Sequence, residues 1–168
     1  HIWKKYTSQY GETLQAAALA VEEFDCSLID ALCDVVPAVK PQSAYFEMLG
    51  WRGMETLEEV ITHAKGKGLY DIKRGDIGTT ATAYAEGWLG TTRVGETDCA
   101  AFDADCVTLN GYMGSDAIKP FLDQCVARNK SAFVLAKTSN PSSVELQDMV
   151  AGDRVVYTVM GDLIERWG

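Results

Sequence analysis

The sequence predicts an α/β domain built on a parallel sheet, and three observations carry that prediction. Apolar runs of strand length end near Lys40, Lys73, Leu109 and Thr138, a spacing of roughly thirty residues that suits one strand and one returning helix apiece. Longer stretches between them carry apolar residues at helical spacing. At residues 71–80, a short apolar run ends in alternating charge and then in glycine and threonine, the pattern of a strand-to-helix loop. Repeated units of this kind make either a doubly wound sheet or a closed barrel. Periodicity leaves both open, and no Gly-x-Gly-x-x-Gly turn argues for a dinucleotide fold.

Taken in order, the chain goes almost directly into helix. From residue 12 to about 34, Leu14, Ala17, Ala18, Val21, Phe24, Leu28, Ala31 and Leu32 form an apolar stripe, interrupted by Glu22, Glu23 and Asp30. Residues 35–40 read as a buried strand that stops at Pro41. A second helix turns Leu57, Val60, Ile61 and Ala64 inward, and Gly66 and Gly68 close it. Residues 68–73 read as the next strand, with Leu69, Asp71 and Lys73 on one face and Tyr70 and Ile72 on the other. Gly75 and Gly78 break it. Thr79 or Thr80 then caps a helix running to about Leu89, which leaves Asp76 in the loop.

Residues 106–109 read as a strand and 116–128 as a helix with Ile118, Phe121, Leu122 and Val126 inward. Residues 132–137 are a further strand. The last helix, from about residue 153 to 167, carries Val156, Val159, Met160, Leu163, Ile164 and Trp167 on one stripe. No linker or low-complexity segment divides the chain, so residues 1–168 are expected to be one domain.

Composition narrows the function classes. The chain has 168 residues, 47% of them apolar, and a formal net charge of -9. An acidic surface argues against non-specific nucleic-acid or anionic-membrane partners, while leaving room for one small phosphorylated substrate in a local basic pocket. No apolar run suits a bilayer and no signal peptide is recognisable, so a cytoplasmic protein is expected. Cys26, Cys33, Cys99, Cys106 and Cys125 are odd in number and lack a Cys-x-x-Cys pair, which reads as reduced core or near-core thiols. His1 is terminal, and His63 falls on an amphipathic helix as a surface residue, so histidine-based catalysis is not expected.

The chemistry-bearing stretch is the one around Asp71 and Lys73. A carboxylate and an ammonium two residues apart on a strand sit side by side, at the strand end where parallel α/β folds bind ligands. By itself such a pair reads more readily as a solvated ion pair.

The wider context is more specific. Asp71-Ile72-Lys73-Arg74-Gly75-Asp76-Ile77-Gly78 resembles the Asp-x-Lys-x-x-Asp signature of orotidine 5′-phosphate decarboxylase, in the form of that family's second, largely bacterial group. Val39-Lys40-Pro41-Gln42-Ser43-Ala44-Tyr45-Phe46-Glu47 and Thr138-Ser139-Asn140-Pro141 resemble the same group, in fitting order and spacing. The resemblance implies a (β/α)₈ TIM barrel. A complete barrel typically needs about 250 residues, so the chain is expected to be a single partial TIM-barrel domain. It would supply about four central βα units, the second to the fifth, of a longer parent.

The activity implied by the resemblance is conversion of orotidine 5′-phosphate to uridine 5′-phosphate in de novo pyrimidine biosynthesis, with no metal and no cofactor. Lys73 would stabilise and then protonate a C6 carbanion. Asp71 would hold Lys73 charged and oriented, and Lys40 would bond Asp71 and a ribose hydroxyl. Ser139 would read the amide edge of the pyrimidine, with Asn140 a weaker candidate. Family members are homodimers with shared sites, so the residues matching Asp76, Ile77 and Thr80 would reach the partner's pocket. Arg74 is given no chemical role. Two alternatives accompany this reading. One is a magnesium-dependent decarboxylase or aldolase of the same superfamily acting on keto-sugar phosphates. The other is a non-catalytic half-barrel scaffold.

Overall fold

The computed structural model describes residues 1–67, 69–73 and 75–168, with the backbone alone for residues 69, 70 and 72. The expected strand start at Gly68, Arg74, and the side-chain directions of Leu69, Tyr70 and Ile72 lie outside the described residues.

The first helical stretch is two helices. α1 (Ile2–Tyr10) ends at Gly11, whose φ of 71° suits a residue without a Cβ. α2 (Leu14–Leu32) starts afresh because the Thr13 hydroxyl accepts from the Ala16 N–H at 3.2 Å and caps it. The chain then runs through β1 (Ala38–Val39), α3 (Ser43–Glu47), α4 (Trp51–Ala64), β2 (Leu69–Lys73) and α5 (Gly78–Leu89). After a hairpin of β3 (Thr92–Val94) and β4 (Thr97–Cys99) come β5 (Cys106–Asn110), α6 (Ser115–Arg128) and β6 (Ser131–Leu135). A second hairpin, β7 (Val150–Ala151) and β8 (Arg154–Val155), leads into α7 (Val156–Trp167).

The main sheet is wholly parallel, in the order β1-β2-β5-β6. Its register aligns Asp71 with Cys106 and Lys73 with Thr108, and continues from Thr108 to Phe133, so these residues share one face. The opposite face carries Val107 and Leu109, both buried with Leu57, Val60 and Ile61 of α4, Ala81, Ala85, Trp88 and Leu89 of α5, and Ile118 and Phe121 of α6. That helix layer is the core. The other face is open, and Phe133 on it is 63% exposed. Gly53 allows α3 and α4 to meet closely, because a Cβ there would run into the Phe46 carbonyl.

Several elements differ from the sequence reading. The strand expected over 35–40 forms only at Ala38–Val39, which pair with β2 on one side and leave Val35 in solvent. On α2 the buried positions are Ala16, Ala18, Ala20 and Ile29, while Leu14, Phe24, Leu28 and Ala31 are exposed, because α1 and α4 are its main packing partners. Val126 is 88% exposed, for α6 buries only Ala117, Ile118 and Phe121. The strand expected over 132–137 ends at Leu135, and the last helix begins at Val156 because residues 150–155 form the second hairpin. α5 starts at Gly78 with Ile77 as N-cap, so Thr79 and Thr80 lie inside its first turn instead of capping it. Cys33 and Cys99 are exposed and not near-core, whereas Cys106 is buried. Among the described residues no helix is long and apolar enough to cross a membrane.

Candidate active site

At the C-terminal ends of β2 and β5, strand alternation turns polar side chains onto the open face. Asp71 and Thr108 are both buried there. The Thr108 hydroxyl lies 2.8 and 3.0 Å from the two Asp71 carboxylate oxygens and donates to them. Lys40, just past β1, carries its ammonium across β2 to bond Asp71 and to donate to Thr108 Oγ1 at 2.5 Å. Three successive strands thus contribute one ammonium, one carboxylate and one hydroxyl to a single network. A buried carboxylate is tolerable here because the ammonium and the hydroxyl replace the water it has lost.

Lys73 occupies the same face of β2 as Asp71, and its side chain is exposed. Among the described residues its ammonium has no hydrogen-bond or ion-pair partner, so it is available to a ligand. It lines a cavity of about 600 Å³ with Gln42, Ser43 and Tyr45 from the β1–α3 segment, Tyr84 of α5, and Thr108 and Asn110 of β5. This volume falls in the range of small-molecule sites. Cys106 lies one pleat below Thr108 and is inert by environment. Burial pushes its thiol up to about 11, and the neighbouring Asp71 carboxylate adds to the shift.

Of the residues singled out from the sequence, Lys40, Asp71 and Lys73 are brought together on this face. Of these residues Lys73 lines the cavity, whereas Lys40, Asp71, Asp76, Ile77, Thr80 and Ser139 do not. Asp76 is half-buried in the β2–α5 loop, where its Oδ1 accepts from the Ile77 N–H at 2.7 Å. Ile77 and Thr80 point to solvent, as does Ser139 in the loop after β6. His63 is half-buried, bonded to Asp30 at 2.8 Å on the far helix layer. Among the described residues no three carboxylate, thiol or imidazole groups converge as ligands for a metal.

Sequence reading missed Thr108. A threonine in a Cys-Val-Thr-Leu run looks like an ordinary strand former, and only the register with β2 brings its hydroxyl to Asp71. It also missed Gln147, whose amide contacts Thr138 from nine residues downstream.

Comparison with known proteins bears on the family and the fold. The Orotidine 5′-phosphate decarboxylase / HUMPS family matches residues 14–165. The chain is 43% identical over 152 residues to orotidine 5′-phosphate decarboxylase of Rhodopirellula baltica, covering 89% of this chain and 49% of that protein. It is 41% identical over 160 residues to the Roseiflexus enzyme of the same name, covering 92% and 53%. The solved structure of Leishmania donovani OMP decarboxylase superposes with a TM-score of 0.77 at 30% identity, covering 99% of this chain and 64% of that one. The chain spans about half the length of the curated relatives it matches. Its four parallel βα units are accordingly part of a TIM barrel.

Proposed function

Because the chain belongs to the orotidine 5′-phosphate decarboxylase / HUMPS family, we propose that the protein carrying it releases carbon dioxide from orotidine 5′-phosphate to form uridine 5′-phosphate. The observation that carries the reading is the Lys40-Asp71-Thr108 network, whose Thr108 lines the cavity together with a Lys73 that has no partner among the described residues.

In this reaction the C6–carboxylate bond breaks, carbon dioxide leaves without the electron pair, and C6 becomes a carbanion. No adjacent carbonyl delocalises that charge. The Lys73 ammonium is suited to stabilise it and then to give its proton to C6, which leaves a neutral amine that solvent reprotonates. Asp71 keeps the site anionic beside Lys73. Lys40 and Thr108 fix the direction of its carboxylate, and Lys40 retains a donor for a ribose hydroxyl.

Ser139 reads the amide edge of the pyrimidine. Asp76, Ile77 and Thr80 serve the site of a second subunit in a homodimer, a role supported for Ile77 and Thr80 by their exposure. Residues 1–168 form part of one barrel domain, and the protein works in the cytoplasm.

The test is the loss of orotidine 5′-phosphate absorbance with the protein expressed from its full coding sequence, run with and without a chelator. Equal turnover in both supports the proposal. No turnover, or turnover abolished by chelation, overturns it in favour of a scaffold or a magnesium-dependent sugar-phosphate enzyme.

A further inference from the structure

We propose that Gln147 is a positioning residue that presets the Thr138-Ser139-Asn140 loop for nucleotide binding, an inference that rests on Ser139 reading the pyrimidine ring. β6 ends at Leu135, and residues 136–140 form neither helix nor strand before a 3₁₀ turn at Pro141–Glu145. Such a loop has no ladder of its own to hold it.

Gln147 supplies the missing partners. Its own backbone is tied on both sides, the N–H donating to the Ser143 carbonyl at 2.8 Å and the carbonyl accepting from the Tyr157 N–H at 3.0 Å. From that anchored position its side-chain Oε1 accepts from the Thr138 N–H at 2.7 Å, while Nε2 donates to Thr138 Oγ1 at 2.8 Å. The Thr138 hydroxyl, its lone pair engaged, donates onward to Asn140 Oδ1 at 2.6 Å. The amide can adopt only one orientation in this chain, with its oxygen toward the N–H.

A second attachment lies beside the first, where Lys137, one residue before Thr138, pairs with Asp148, one residue after Gln147, and stands 4.4 Å over the Tyr157 ring. Both neighbours of Ser139 are therefore held, directly or through one hydroxyl, by Gln147. The Ser139 hydroxyl itself has no partner among the described residues and faces solvent. A loop ordered before the ligand arrives spares binding the entropy of ordering it. A glutamine anchored elsewhere in the fold achieves this without touching the ligand.

The experiment compares wild type, Gln147→Leu, Ser139→Ala and the double variant in the protein from its full coding sequence. The readouts are hydrogen exchange at the Thr138 amide, calorimetric affinity for uridine 5′-phosphate, and the split between kcat and KM. Gln147→Leu is expected to speed Thr138 exchange at least about ten-fold and to weaken the nucleotide on the order of ten-fold, raising KM with kcat largely kept. Ser139→Ala should weaken binding comparably, and the double variant should be no worse than the weaker single, because one residue acts through the other.

Gln147→Glu keeps the acceptor for the Thr138 N–H and loses the donor, so it should retain amide protection; it also serves if the leucine variant fails to fold. Unchanged Thr138 exchange in Gln147→Leu, or losses that multiply in the double variant, would overturn the proposal. Affinity indifferent to Ser139→Ala would overturn the ring-reading role instead. The two failures are distinguishable, because Thr138 exchange would then still respond to Gln147→Leu.

Discussion

Replacing Thr108 with valine removes one oxygen and almost no volume, so it isolates the polar network from packing. The hydroxyl accepts from Lys40 at 2.5 Å and donates to Asp71 at 2.8 Å. Both partners are charged, and hydrogen bonds to charged groups each contribute roughly 1.5–3 kcal/mol. The two losses do not cost the same. Lys40 is half-exposed and keeps Asp71, so water replaces its bond to the hydroxyl at little cost. Asp71 is 7% exposed and gains no substitute donor. The expected loss is therefore close to that of one charge-assisted bond, about 2 kcal/mol. With a urea slope of roughly 1–3 kcal/mol per molar, the unfolding midpoint falls by about 1 M.

Thr108→Ser keeps the hydroxyl and should restore most of the loss. Equilibrium urea unfolding of the three proteins is the assay, with turnover measured alongside, where valine should lower kcat/KM through a misdirected Asp71. A valine variant within about 0.5 kcal/mol of wild type, or a serine variant as damaged as valine, would refute the reasoning that this network is held by the hydroxyl.

Three further outcomes follow from the same geometry. Gly53→Ala should lower the thermal midpoint, at a cost of about 1–3 kcal/mol, since its methyl would press on the Phe46 carbonyl and the α3–α4 contact must open; calorimetric scanning measures it. Iodoacetamide at pH 8 should label Cys33 and Cys99 in the native protein but not Cys106, whose thiol, at about 11, stays protonated; peptide mass spectrometry locates the adducts. Burial pushes the Asp103 carboxyl up, but Lys65 at 3.0 Å and Lys130 at 3.1 Å together hold it below its ordinary 3.8. A lowered folded value stabilises above the ordinary one and fades as pH falls through the folded one. Asp103→Asn should therefore cost up to about 1 kcal/mol at pH 7, with the deficit shrinking below pH 3.8, as read from urea midpoints across pH.

Much of the parallel sheet is legible because its cause is local. Alternation in 69–73 and the glycines that follow are enough to put Asp71 and Lys73 on one face, and the helical spacing of Leu57, Val60, Ile61 and Ala64 names the buried side of α4. What escapes the sequence depends on neighbours. Leu28 and Val126 sit at helix positions that periodicity turns inward, yet their exposure is decided by which elements pack there. β1 pairs with β2 over two residues, less than the apolar run before Pro41 suggests.

At the site, the Asp-x-Lys spacing is a property of one strand and can be read directly. Thr108 joins Asp71 only through the register of β2 with β5, and register is a long-range quantity that one sequence does not display. Gln147 reaches Thr138 across a 3₁₀ turn and is hidden for the same reason. The β3–β4 hairpin did have a local signal, a Val-Gly-Glu-Thr step with Gly95 at a φ of 60°.

The measurement that bears most directly on the whole account is turnover of orotidine 5′-phosphate by Lys73→Ala in the protein from its full coding sequence, with uridine 5′-phosphate affinity measured beside it. If Lys73 both stabilises and protonates the carbanion, kcat falls by at least about 10³-fold while the nucleotide still binds. A variant that turns over within about ten-fold of wild type would contradict the assignment of Lys73 as the proton donor.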